Sequence, residues 1–283
     1  MARLKENDSS KLLHELAEKV GRMSEEEMSE ATKLNLCEMT VIGGMKTGGV
    51  KGDKEVVESV TNECVTPVAT YENVFEMNTT DDFYEHYANS DAIVVKNGVG
   101  NDRDVVSWDM NVYKNLKELI IGDKCFWYMN GLELEGMSVL EKLVIGSGCF
   151  SRSEGGLKMI DCEKLKSVSI GKGCCVKWNE FVIMNCGVER VEIGDGCFSK
   201  TEGRMELNNC KKLKSLSIRK GMCVKWNEFV LKNCGVENVE IGSKCFVDCT
   251  RMVFEDLNEL QSLRIGAGSM NGSESVLVMK SEQ

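Results

Sequence analysis

The stretch Leu165 to Cys210 recurs almost unchanged as Leu213 to Leu257, 48 residues further on. Each copy splits into two similar halves, so the repeating unit is about half that length. Aligned on one isoleucine, the units are anchored at Ile121, Ile145, Ile170, Ile193, Ile218, Ile241 and Ile265, in steps of 24, 25, 23, 25, 23 and 24 residues. Each reads L-x-x-L-x-I-G-x-x-C-F, then a loop, then L-x-L-x-x-C. A unit this short cannot bury its apolar face alone. It buries it by stacking on copies of itself, so the chain is a solenoid before any single residue is considered.

Two segments of each unit alternate in polarity. Leu119 and Ile121 point one way and Glu118 and Ile120 the other; Leu132 and Leu134 repeat the pattern. Alternation over four or five residues is a strand signature. Equivalent strands then pair in parallel at ~4.8 Å from coil to coil. The fold class expected is an α/β repeat: a curved, right-handed solenoid of ~24-residue coils with short parallel strands. Val95, Val106 and Trp108 hold the offsets of Ile121, Leu132 and Leu134, which makes residues 91–110 a degenerate opening coil. The glycine after each anchor (Gly122, Gly146, Gly171, Gly194, Gly242, Gly266) suits a sharp turn off the first strand, and Arg219 replaces it once. Cys125-Phe126 and its equivalents form an interior ladder. Cys174-Cys175 and Met222-Cys223 lack the phenylalanine, and Phe181 and Phe229 return that volume from the second strand. Cys162, Cys186, Cys210 and Cys234 form a second ladder. The last coil (Ile265, Val276, Val278) has no evident cap, so its edge is an association risk.

The chain divides into residues 1–90 and 91–283. The first part carries 18 acidic and 9 basic residues, the second 27 and 26. An acidic, mainly helical and partly disordered leader therefore precedes a near-neutral solenoid. Leu12, Leu13, Leu16 and Val20 lie on one helical stripe, and Ser24 with Glu27 fits a capping box. Residues 43–52 form a glycine-rich linker that lacks the spacing of a phosphate-binding loop. Asp81 to Tyr87 reads as a short amphipathic helix covering the end of the stack. This charge distribution offers neither nucleic acid nor an anionic membrane a basic face. No apolar run approaches the ~18–20 residues of a membrane span. The opening residues lack the apolar core of a signal peptide, which points to the cytoplasm, with a surface or secreted location by an unrecognised route as the alternative.

Fourteen cysteines in such a chain are expected to be reduced and buried. Cys245 and Cys249 have no second ligand pair, so no metal is expected. The two histidines, His14 and His86, lie outside the repeats. No nucleophile–base arrangement is readable, and no enzyme activity or cofactor is expected.

The repeat, with its I-G-x-x-C-F and C-x-x-L steps, resembles leucine-rich repeats, and more closely the BspA-type branch, with Cys125, Cys149, Cys197 and Cys245 standing where that branch carries alanine. The resemblance covers residues 91–283. It implies a curved solenoid with a parallel sheet on one face, and a role in adhesion or host interaction.

Solenoids bind through outward strand positions. On the first strand these include Ile120 and Val144, an apolar patch at the leading end, and Arg190, Glu192 and Glu240 in a mixed polar centre. Trp178-Asn179 and Trp226-Asn227 occupy equivalent loop positions two coils apart, roughly 9–10 Å by strand spacing. They either grip a peptide or a sugar or cover the corners of their own coils. The function expected is non-enzymatic protein–protein interaction, with a surface protein binding host protein or glycan as the alternative. The partner's identity is not written in the sequence.

Overall fold

The structure is a computed structural model describing residues 39–42 (backbone only), 71–85, 87–272 and 275–280. From Glu118 onward the strands alternate between two sheets that share one core. The first contains β1 (Met39–Ile42), β2 (Val74–Met77), β3 (Ala92–Val95), β4 (Glu118–Ile121), β6 (Lys142–Ile145), β8 (Ser167–Ile170), β10 (Arg190–Ile193), β12 (Ser215–Ile218), β14 (Asn238–Ile241) and β16 (Ser262–Ile265). The second contains β5 (Leu132–Glu135), β7 (Gly156–Ile160), β9 (Glu180–Met184), β11 (Arg204–Asn208), β13 (Glu228–Lys232), β15 (Arg251–Glu255) and β17 (Val276–Lys280). From β2 to β17 every pairing is parallel and joins equivalent residues of successive coils, as Ile170, Ile193 and Ile218 show. The chain is a parallel β-solenoid of stacked ~24-residue coils.

The α part of the sequence expectation is corrected. Among the described residues helix is limited to two 3-10 turns, Asp81–Tyr84 and Met110–Val112. A 23–25-residue coil is used up by two strands and two turns, leaving no length for an α-helix. The helix expected within residues 10–36 and the glycine-rich linker lie outside the described residues. The opening coil also differs from expectation. Trp108 is buried as expected, but Val105 is buried in place of Val106, and instead of a second strand the coil has an irregular stretch followed by the 3-10 turn Met110–Val112. Asp109 fixes that turn by accepting from the Asn111 amide at 2.9 Å. The turn Asp81–Tyr84 delivers Phe83 onto Trp108 and Phe126, with ring centroids 5.6 and 5.7 Å apart, and so closes the leading end of the core. At the other end β1 pairs antiparallel with β16, covering the edge of the first sheet, whereas β17 ends the second.

Turn chemistry also departs from expectation. None of the six glycines after the anchors has positive φ. They are needed because coils meet there: a Cβ on Gly194 would lie 2.7 Å from the Gly171 carbonyl carbon. The left-handed residue comes two positions later, as Gly148, Gly173, Gly196 and Gly221.

A further left-handed position follows β5, β7, β9, β11, β13 and β15, and is taken by Gly136, Asp161, Asn185, Asn209, Asn233 and Asp256. Asn and Asp tolerate this conformation better than other side chains bearing a Cβ. Their amides link the coils: Asn185 donates to Asp161 at 2.8 Å, Asn209 to Asn185 at 2.9 Å and Asn233 to Asn209 at 3.1 Å. The signal is present in the sequence as Asn or Asp directly before the closing cysteine.

Candidate functional site

The outward residues of the first sheet form two rows in register. One runs Ile120, Val144, Ser169, Glu192, Ser217, Glu240, Arg264, as the repeat alignment expects. The other runs Glu118, Lys142, Ser167, Arg190, Ser215, Asn238, Ser262. Arg190, Glu192 and Glu240 are exposed, and half-buried serines beside them keep the face low. Arg190 lies 3.5 Å from Glu192 on the same strand, and Glu240 has no ion-pair partner among the described residues. At the leading end Val144 is buried and Ile120 half-buried, so the apolar patch presents little free surface. Tyr71 lies beside it and donates to Glu118 at 3.1 Å. Burial, then the Glu118 carboxylate, push the Tyr71 hydroxyl up to about 12.

The second sheet is neutralised internally. Glu180, Arg204, Glu228 and Arg251 follow one another across the strands. Arg204 pairs with Glu180 at 2.7 Å and Arg251 with Glu228 at 2.9 Å, and Lys158 bridges Glu133 and Glu180. Partial burial works against ionisation of Glu180, but Arg204 and Lys158 hold its carboxyl below the ordinary range.

The tryptophan loops are where the site expectation changes most. Trp178 and Trp226 have no exposed surface. Their rings lie on Phe150 and Phe198, at 4.7 and 5.0 Å between centroids. Each is three residues beyond a cysteine, Cys175 or Cys223, that stands in the phenylalanine position. Elsewhere the pair is reversed: Phe150 with Ser153, Phe198 with Thr201, Phe246 with Cys249. Tryptophan fills the space the missing phenylalanine leaves, and no partner reaches either ring without opening the core. Asn179 and Asn227 are exposed, but in the loops entering the second sheet, apart from Arg190, Glu192 and Glu240.

The cysteines are built into the coil contacts. In the first ladder Cys125, Cys149, Cys174, Cys197 and Cys245 each donate S–H to a carbonyl of the preceding coil, at 3.1, 3.0, 2.8, 3.0 and 2.9 Å. Ser269 does the same with its hydroxyl at 2.9 Å. This is a physical reason for cysteine where alanine would fit by size: alanine has no donor. In the second ladder Cys162 and Cys186 donate to Leu134 and Met159. All twelve cysteines among the described residues are free and buried. Burial pushes the thiols of Cys245 and Cys249 up to about 11 and raises those of Cys175 and Cys223 well above the ordinary value. A thiol held protonated is a poor nucleophile and a poor metal ligand. Among the described residues no group of three or more His, Cys, Asp or Glu is placed to hold a metal, and no helix is long and apolar enough to cross a membrane.

One exposed cluster escaped the sequence reading. Trp127 and Tyr128 follow Cys125-Phe126, where later coils carry Ser151-Arg152, Val176-Lys177 and Ser199-Lys200. Arg152, one coil on, places its guanidinium 4.0 Å from the centre of the Trp127 ring and donates to the Tyr128 hydroxyl at 3.0 Å. Arg103 lies 5.8 Å from the centre of the Tyr128 ring. The signal was the only aromatic pair at that step of the repeat.

Fold and surface together define a parallel β-solenoid repeat protein with one internally neutralised sheet face and one open polar face. Comparison with models of known protein families, with curated proteins and with solved structures finds no match.

Proposed function

We propose that this chain is a non-enzymatic protein-interaction scaffold, a divergent member of the BspA-type leucine-rich class, which binds a protein partner on the outward face of the first sheet. The observation that carries this reading is the contrast between the faces: along the centre of the second sheet Lys158, Glu180, Arg204, Glu228 and Arg251 are paired from strand to strand, whereas Glu240 and the Arg190–Glu192 pair stand exposed among serines. Charged groups in register on a rigid sheet give specificity without chemistry. The thiols of Cys245 and Cys249, held protonated by burial, support the non-enzymatic part. Thiols that donate to carbonyls also suit a reducing, cytoplasmic compartment. The alternative, a surface or secreted protein binding host protein or glycan, draws on the family resemblance and loses the paired tryptophans as a platform.

The test is affinity capture with the full chain against a variant carrying Arg190→Glu, Glu192→Lys and Glu240→Lys. All three side chains are exposed, so folding should be unchanged. A protein retained by the wild type and lost by the variant supports the reading. Equal retention of every captured protein by both refutes this face as the binding surface.

A further inference from the structure

We propose that Arg103, Arg152, Trp127 and Tyr128 form a second docking point, one that takes a carboxylate-bearing segment of a partner protein. The proposal is independent of the sheet-face reading, because none of these residues lies on a strand: Trp127, Tyr128 and Arg152 are on connections from the first sheet to the second, and Arg103 is on the connection between β3 and β4.

Two guanidiniums share one aromatic ring. Arg103 and Arg152 approach the same Tyr128 ring, with guanidinium carbons 5.8 and 5.7 Å from its centre. Neither has a carboxylate partner among the described residues, whereas Arg204 and Arg251 on the second sheet are both paired. Two like charges beside one ring repel each other, and an anion between them removes that cost.

The donors are also held in place. Arg152 is stacked on Trp127 and tied to Tyr128, and its amide donates to the Trp127 carbonyl at 2.9 Å. Asn101 accepts from the Trp127 amide at 3.1 Å and donates to the carbonyls of Gly98 and Lys124 at 2.9 and 2.8 Å, pinning the turn that carries the aromatics. Because Tyr128 accepts from Arg152, its own O–H remains a donor. The two guanidiniums and this hydroxyl form a donor set for a carboxylate. The guanidinium of Arg152, and after it that of Arg103, also lowers the Tyr128 hydroxyl from its ordinary value.

A protein segment fits better than a nucleic acid. Asp102 and Asp104 flank Arg103, and Glu154 follows two residues after Arg152, all three exposed. A continuous phosphate backbone would meet these carboxylates, whereas a peptide can space its acidic residues between them. Half-buried Trp127 and Tyr128 add apolar contact beside the arginines, the residue types enriched where interfaces gain most of their energy.

The experiment is fluorescence anisotropy with the full chain and a short labelled peptide in which glutamates are spaced by leucine and serine. Binding that weakens with added salt is expected for the wild type, and none for the same peptide with glutamine in place of glutamate. Arg152→Gln and Arg103→Gln, both at exposed positions, should each weaken binding at least about tenfold while melting is unchanged. Lys214→Gln, which removes one charge from the connection leading back to the first sheet, and Glu192→Lys on the sheet face should bind as the wild type does. No binding by the wild type, equal binding by Arg152→Gln, or tighter binding of a labelled oligothymidylate would each overturn the proposal.

Discussion

Cys223 and Trp226 share a volume that Phe246 and Cys249 fill in the next coil, with the large and small residues exchanged. Removing a buried tryptophan typically costs about 3–5 kcal/mol, and adding bulk to a filled core about 1–3 kcal/mol. Trp226→Ala and Cys223→Phe should therefore each destabilise. Joined as Cys223→Phe with Trp226→Cys, the two changes should cost clearly less than the sum of Cys223→Phe and Trp226→Cys measured alone. Denaturant unfolding of the set measures that coupling, and strict additivity would contradict the exchange. Half of this was legible: the missing phenylalanine could be read from the repeat, and Phe181 and Phe229 are indeed buried, packing 5.6 and 5.2 Å from Phe198 and Phe246. The tryptophans could not be assigned to the core, because a loop position does not reveal which way an indole turns. The thiols carry a pH consequence. Burial raises Cys245 and Cys249 from their ordinary 9.0 to about 11. The folded state then holds protons the unfolded chain has released, so this contribution is complete below about pH 9 and is lost as pH rises towards 11. Melting temperature should fall across that window, and Cys245→Ser should flatten the fall. A melting temperature constant from pH 8 to 11 would contradict the burial of these thiols.

At the scale of the element, strands and register were readable because alternation and the coil step are both fixed by the repeat. Turns were readable only in part. The glycine after the anchor looked like a hinge, yet its role is clearance, a relation between two coils that a single coil cannot display. The opening coil misled for a related reason. Val106 and Trp108 keep the spacing of a strand, but only Trp108 is buried, and Val105 takes the inward place expected of Val106. The asparagine ladder makes the clearest element-scale prediction. Asn209 combines φ of 56° with amide bonds to Asn185 and Asn233. Asn209→Ala forfeits both features and should cost about 1–2 kcal/mol. Asn209→Gly keeps the backbone conformation and should cost less. Equal stability of all three proteins by chemical denaturation would remove the ladder from the account.

For the whole molecule, the two ends are closed differently. At the leading end Phe83, Trp108 and Phe126 make an aromatic plug; at the far end β1 covers β16 while β17 finishes the second sheet. The expected uncapped last coil is thus half right, and the pairing of β1 could not be read from the sequence because a strand of four residues does not name its partner. The sheet-face reading rests on one property of the stack, that successive residues of a first-sheet strand face the core and the outside in turn. Glu192 and Ile193 test it most directly, being neighbours on β10 with opposite surroundings: the first exposed, the second buried between Ile170 and Ile218. The measurement is thermal unfolding of Glu192→Lys and Ile193→Asp, followed by circular dichroism. Glu192→Lys should melt as the wild type does, within about 0.5 kcal/mol. Ile193→Asp should lose the cooperative transition, since it places an unpaired charge in the core. A soluble Ile193→Asp protein with wild-type melting, or an unfolded Glu192→Lys protein, would contradict the register on which the account stands.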